Sequence, residues 1–357
     1  VKRALGFLAV GSLALVGCIV GFVRAPEQAF GAWLAAFWFW LGLSLGSLSL
    51  LLMLRLAGGS WEGAGRPRLA AATHTLPLMA LLFLPLIAGL QSLYPWIQPQ
   101  RLAEDHILRE QHAWLNEPGY IARTLVCFAF WIALAKALRK PDCSLAVAGI
   151  GALLQLVTVT LASIDGMMSL QPEFHSTAFG LTTTVAQMLG AMALLLLLLP
   201  TGMQGRRDAG GVLLMLVLGW TYLRFMDYIT AWTGDLPADV AWYLRRAQTN
   251  WRWLALTMML LESIVPFFLL VNRGVRSGPA LRPLAAAMLV GNATEVWWRV
   301  RPAQNALGVG LGIYDACALV AIGGLWLAVY EFSRGRPSLR ADRRQQPAAA
   351  AVGGSHG

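Results

Sequence analysis

Long apolar runs separated by short polar breaks cover most of this chain. Ten runs approach or reach the about 20 residues that a helix rising about 1.5 Å per residue needs to cross a bilayer core roughly 30 Å thick. They fall at about 4–23, 32–56, 69–91, 120–138, 144–164, 174–199, 211–232, 251–271, 283–299 and 311–332. The last two carry Glu295 and Asp315. The pattern predicts an all-α integral membrane protein of about ten transmembrane helices. Lys2 and Arg3 precede the first run, as in a signal peptide. That run is longer than the about 7–15 residues of a signal core, and no small-x-small site follows, so an uncleaved first helix is expected.

The breaks carry organisation. Two are long, about 92–119 and 233–250, and hold Trp, Tyr and acids, as do segments lying at a membrane interface or docking a partner. Residues 1–332 form the expected membrane domain. The tail 333–357 is basic, then Ala-, Gly- and Gln-rich, and is expected to be disordered. A weak repeat appears at an offset near 130: Ala113-Trp114-Leu115 against Ala241-Trp242-Tyr243, and Asp165 against Glu295. It suggests parallel repeats over 32–164 and 174–300, hence two four-helix bundles side by side with flanking helices.

Composition agrees. The chain of 357 residues is 57% hydrophobic and 13% charged, where a soluble domain has roughly 25% charged residues. The face holding the N-terminus collects 18 Lys and Arg; the opposite face collects 9, and Arg224 lies inside a helix. By the positive-inside rule the N-terminal face is cytoplasmic and both termini are there. The net charge of +10 is then a topology signal, and nucleic acid is not an implied partner. The four cysteines, Cys18, Cys127, Cys143 and Cys317, form no CxxC or CxxCH, so no covalent haem, iron–sulfur or thiol-redox ligand set is visible. Only His74 and His175 of the five histidines sit at or in helices, short of the two facing pairs of a four-helix cytochrome b. No cofactor is expected in this chain.

Ionisable groups inside a membrane cost about 2.5–3.5 kcal/mol each on insertion scales. Asp165, Glu173 and His175 cluster between the fifth and sixth runs, with His175 expected to open the sixth helix. They form either the outer mouth of a proton path, or a wall near a quinol head group, or only helix ends at the water interface with Glu173 complementing a helix dipole. Arg224 and Asp227 lie one turn apart in the seventh run. Glu262 sits near the middle of the eighth, at a depth that predicts a buried pair with Arg224. That pair is structural, or Glu262 loads and releases a proton. His74 marks the inner end of such a path, or is an interfacial histidine. Gln155, Thr158, Thr160 and Ser163 form a stripe towards Asp165 that either holds water or packs helices. Glu295 and Asp315 flank the last outer loop and are expected to face each other.

Several stretches resemble one family. They are Gly58-Gly59-Ser60-Trp61, Thr75-Leu76-Pro77-Leu78, Phe83-Leu84-Pro85-Leu86 and Leu93-Tyr94-Pro95-Trp96. Leu115-Asn116-Glu117-Pro118, Tyr120-Ile121-Ala122-Arg123 and the segment 163–177 follow. Further on come the segment 227–237, Trp242-Tyr243-Leu244 and Pro266-Phe267-Phe268-Leu269-Leu270. Together, over roughly 30–300, the chain resembles the NrfD-like membrane subunits, and among them the ActF type of bacterial alternative complex III. The resemblance implies two four-helix bundles in the bacterial cytoplasmic (inner) membrane, without metal or haem in this subunit. It implies a sister NrfD-like subunit, iron–sulfur/molybdopterin-like and cytochrome c subunits on the outer side, and a terminal oxidase downstream. Quinol would be oxidised mainly in the sister subunit, leaving this chain as a scaffold that could conduct protons. From the residues themselves, any such path would use Asp165, His175, Arg224, Asp227 and Glu262, with His74 as a further candidate. Three departures stand out: Gly166 where the family has Trp, Glu173 where it has His with His175 two residues on, and Asp227 where Gln is common. Two alternatives stay open: a quinol-binding anchor of a molybdopterin or polysulfide-type reductase, and a stand-alone secondary transporter.

Overall fold

The computed structural model describes residues 2–140, 143–235, 237–305, 308 and 312–335. Among them all regular structure is helical. Ten long helices follow one another: α1 Lys2–Arg24, α2 Pro26–Ala57, α3 Glu62–Ala88, α4 Glu117–Leu138 and α5 Leu145–Gly166. Then come α6 Phe179–Leu198, α7 Arg206–Gly234, α8 Trp251–Val271, α9 Leu281–Val300 and α10 Ile313–Arg334. Nine of them are long and apolar enough to cross a membrane; α9 has 20 residues but carries Arg282, Asn292, Glu295 and Arg299. The chain is thus a multi-pass, all-helical protein by length and composition.

Helix α2 is apolar on every side, and such a helix belongs in an interior. It is buried along most of its length and packs against α1, α5, α6, α9 and α10. Gly46 sets its closest approach: a Cβ there would lie 1.9 Å from the Gln187 carbonyl oxygen of α6. Small residues let membrane helices come this near. Helix α1 instead lies on α10 and leaves most of its apolar surface outward, as a lipid-facing helix does. Its Gly11 rests on the backbone of Gly324 and Leu325.

Two helices are irregular for stated reasons. α3 breaks at His74–Thr75 and at Phe83. Pro77 and Pro85 each follow a break, where a missing N–H costs nothing in a first turn. In α8, Pro266 offers no N–H to the carbonyl of Glu262, four residues earlier. The turn Leu260–Ile264 widens into a π-helix with Glu262 at its centre.

The long breaks fold as short helices over the face opposite the N-terminus: Pro99–Glu104, His106–Gln111 and Pro237–Ala247. Asp165 ends α5 as expected, but α6 begins at Phe179, so His175 lies in the connection and does not open the helix. Of the expected tail, Ser333 and Arg334 still belong to α10; residues 336–357 lie outside the described residues.

Candidate functional site

Three carboxylates at the opposite-face ends of helices are held in one way, by an indole N–H and a guanidinium. Asp165 accepts from Trp114 Nε1 at 2.9 Å and from Arg123 Nε at 2.6 Å. Glu295 accepts from Trp220 Nε1 at 3.1 Å and from Arg299 Nη2 at 2.5 Å. Asp315 accepts from Trp297 Nε1 at 2.8 Å and pairs with Arg301 Nε at 3.1 Å. Charge-assisted bonds of this kind are about twice as strong as neutral ones. They fix all three carboxylates in place. Glu295 and Asp315 each turn to their own arginine.

The Glu295 group reaches furthest into the protein. Arg299, four residues on in α9, also donates to Thr183 Oγ1 of α6 at 2.7 Å. Arg224 of α7 approaches Glu295 at 3.6 Å and Asp227 at 3.9 Å. Asp227 in turn accepts from Tyr243 at 2.9 Å and from Ser176 at 2.5 Å. Burial, and then the neighbouring Asp227 charge, push the Tyr243 phenol above its ordinary range, so it stays the donor. This corrects the expected Arg224–Glu262 pair: the arginine turns outward to Glu295 and Asp227.

Glu262 is fully buried. The Asn292 amide donates to its Oε1 at 3.1 Å and to the Ala186 carbonyl at 3.0 Å. Glu262 Oε2 has no hydrogen-bond partner among the described residues. Nor has either amide atom of Gln187. A cavity of about 20 Å³ lies beside Gln187 and Asn292, lined also by Glu295, Arg299, Thr183 and Trp38, among others. A cavity with polar partners needs about 10–15 Å³ to have room for one water, and this one has it. Glu262, Asn292, the cavity, Glu295, Arg224 and Asp227 thus form a polar line from the middle of α8 towards the opposite face.

The other expected residues stand apart. His175 lies by a second cavity of about 260 Å³, lined with Gln111, Trp114, Met168 and Phe174. Its Nε2 meets Gln111 Nε2 at 3.1 Å. Glu173 caps no helix; it pairs on the surface with Arg245 at 3.6 Å. His74, at the break in α3, bonds the Ala70 carbonyl through Nδ1 at 2.8 Å and meets Arg139 through Nε2. The α5 stripe is used in packing: Gln155 donates to the Leu45 carbonyl at 2.9 Å, and Thr158 accepts from Trp131 at 2.9 Å. Arg299, Asn292 and Gln187 were not singled out from the sequence. Asn292, Glu295 and Arg299 share one face of α9 at spacings of three and four, and that was the available signal.

No protein-family model matches this chain, and no curated protein matches it. Among the described residues no group of His, Cys, Asp and Glu is placed to hold a metal.

Proposed function

We propose that this chain is a membrane subunit of an alternative-complex-III-like quinol:electron-acceptor oxidoreductase, serving as scaffold and proton conduit in respiratory electron transfer. The observation that carries the conduit is the polar line from buried Glu262 to half-buried Asp227. Its charges suggest a division of labour. Asp227 and Glu295 balance Arg224 and Arg299, so an ionised Glu262 adds an unbalanced charge at low dielectric. Glu295 is held by the Trp220 indole and the Arg299 guanidinium, with Arg224 at 3.6 Å. Glu262 has a bare oxygen and one neutral donor, and takes the proton. A water in the cavity lined by Asn292, Glu295 and Arg299 would link the Glu262–Asn292 pair to the Glu295 group. Arg224, Asp227, Ser176 and Tyr243 then lead to the opposite face.

The motifs quoted above support the rest of the proposal. The fold would be two four-helix bundles with α1 and α10 flanking, α9 spanning with the others, and both termini in the cytoplasm of a bacterium. The partners would be a sister NrfD-like subunit, outer iron–sulfur and cytochrome c subunits, and a terminal oxidase, with no redox centre in this chain. Purification of the tagged chain from its native membrane tests this. Co-migrating redox subunits and quinol-dependent electron transfer support it; a chain that moves solute with no redox partner makes it a transporter. The cavity beside His175 favours a second reading, a quinol-binding anchor. Its test is a quinone analogue competing for that cavity in wild type but not in Gln111→Leu.

A further inference from the structure

On the N-terminal face, where α6 ends and α7 and α9 begin, arginines converge without acids. Arg206, the first residue of α7, is 1% exposed. Its Nη1 donates to the carbonyls of Leu199 and Pro200 at 2.9 and 3.2 Å. Its Nε and Nη2 are buried with no partner among the described residues. Arg282, the second residue of α9, donates to the same Leu199 carbonyl at 3.1 Å and is otherwise exposed. Two guanidinium groups therefore share one neutral oxygen. A third, Arg276, packs its backbone on Gly210, one turn along α7 from Arg206, and its Nε also lacks a partner. Among the described residues no carboxylate pairs with any of the three. The nearest acid in sequence, Asp208, is taken by the Ser60 hydroxyl.

A buried cation with two free donors calls for an anion with several oxygens. Guanidinium forks suit phosphate, and the starts of two helices add positive potential there. The position decides the source. The arginines stand at the ends of membrane-length helices, and the same end of α8 leaves Phe268, Leu269 and Val271 exposed beside them. Acyl chains fit that apolar flank below a head group. Basic pockets between helix ends take phospholipid head groups in this way. We infer that Arg206 and Arg282, with Arg276 beside them, bind the phosphate of an anionic membrane phospholipid, independently of the chain's redox partners.

The test uses the full chain in mild detergent. Retained lipid is identified by mass spectrometry. The thermal midpoint is followed as phosphatidylglycerol, phosphatidylcholine or inorganic phosphate is added. An anionic phospholipid should be retained, and phosphatidylglycerol should raise the midpoint more than phosphatidylcholine. Arg206→Gln and Arg282→Gln should each need roughly tenfold to hundredfold more phosphatidylglycerol for the same rise. Arg207→Gln, at the exposed neighbour, should behave as wild type. Equal responses of wild type and both variants overturn the site. Inorganic phosphate giving the full rise makes the ligand free phosphate and overturns the lipid. If the variants do not fold, wild-type retention decides, and loss of all anionic lipid on mild washing overturns the site.

Discussion

Asn292 holds Glu262 by one hydrogen bond of 3.1 Å, and the second oxygen of that carboxylate is buried without a partner among the described residues. Glutamine keeps the acceptor for Asn292 and loses only titration. Because Arg224 pairs with Glu295 and Asp227, Glu262→Gln strands no charge. Assembly and thermal midpoint should stay near wild type while protons moved per electron fall. Proton uptake and complex yield measured in the same membranes check this; unchanged proton coupling removes Glu262 from the path.

Glu295 should behave in the opposite way. It is the shared partner of Arg299 at 2.5 Å, which is buried, and of Arg224 at 3.6 Å, which is half-buried. Glu295→Gln leaves two guanidinium groups facing a neutral amide. Breaking one side of a buried pair costs about 3–5 kcal/mol. The expected result is a sharp loss of folded protein and of every activity together. A Glu295→Gln protein as stable as Glu262→Gln would show that Glu295 does not hold the cluster.

The two cases show how far the sequence could be read. All ten long helices fall on expected runs, nine of them apolar enough to cross a membrane, and α8 fell on the expected bounds. Asp165 was legible as the end of α5, and Glu262 as the deepest acid. The pairing was not. Depth along two antiparallel helices put Arg224 level with Glu262, but helix rotation decides which face an arginine presents, and Arg224 faces α9. The share of α9 in the site was hidden for a related reason: its Asn292, Glu295 and Arg299 lowered its hydropathy, so it and α10 read as the two weaker spans. His175 was misplaced because Pro172 marked the turn, while the chain stays irregular until Phe179.

Glycine substitutions test the packing around this site. A Cβ on Gly46 would meet backbone, the Gln187 carbonyl, at 1.9 Å, which no side-chain rotation relieves. Gly46→Ala should separate α2 from α6 and leave little folded protein. Gly149 has no atom within 4 Å of its ideal Cβ and lies inside α5. Gly149→Ala should be neutral or stabilise by about 0.5–1 kcal/mol, the helical preference of Ala over Gly. Detergent-solubilised yield and thermal midpoint of the pair give the comparison. Similar behaviour of both variants would mean that α2 and α6 do not approach this closely.

The orientation rests on charge, and can be tested without any partner. The N-terminal face holds 18 Lys and Arg against 9 on the opposite face, and the connection 165–173 holds none. Basic loops resist translocation, so the face with 18 should stay in the cytoplasm. A periplasm-active reporter fused after Pro172 should be active, and the same reporter after Lys140 or Arg207 should be silent. A cytoplasm-active reporter should give the reverse. These three sites alternate only if α5 and α6 each cross the membrane. The same alternation would put Arg206 and Arg282 on the inner face and Asp227 near the outer. Activity after Arg207 and silence after Pro172 would invert the protein. The lipid site would then face outward, and the line from Glu262 to Asp227 would open to the cytoplasm.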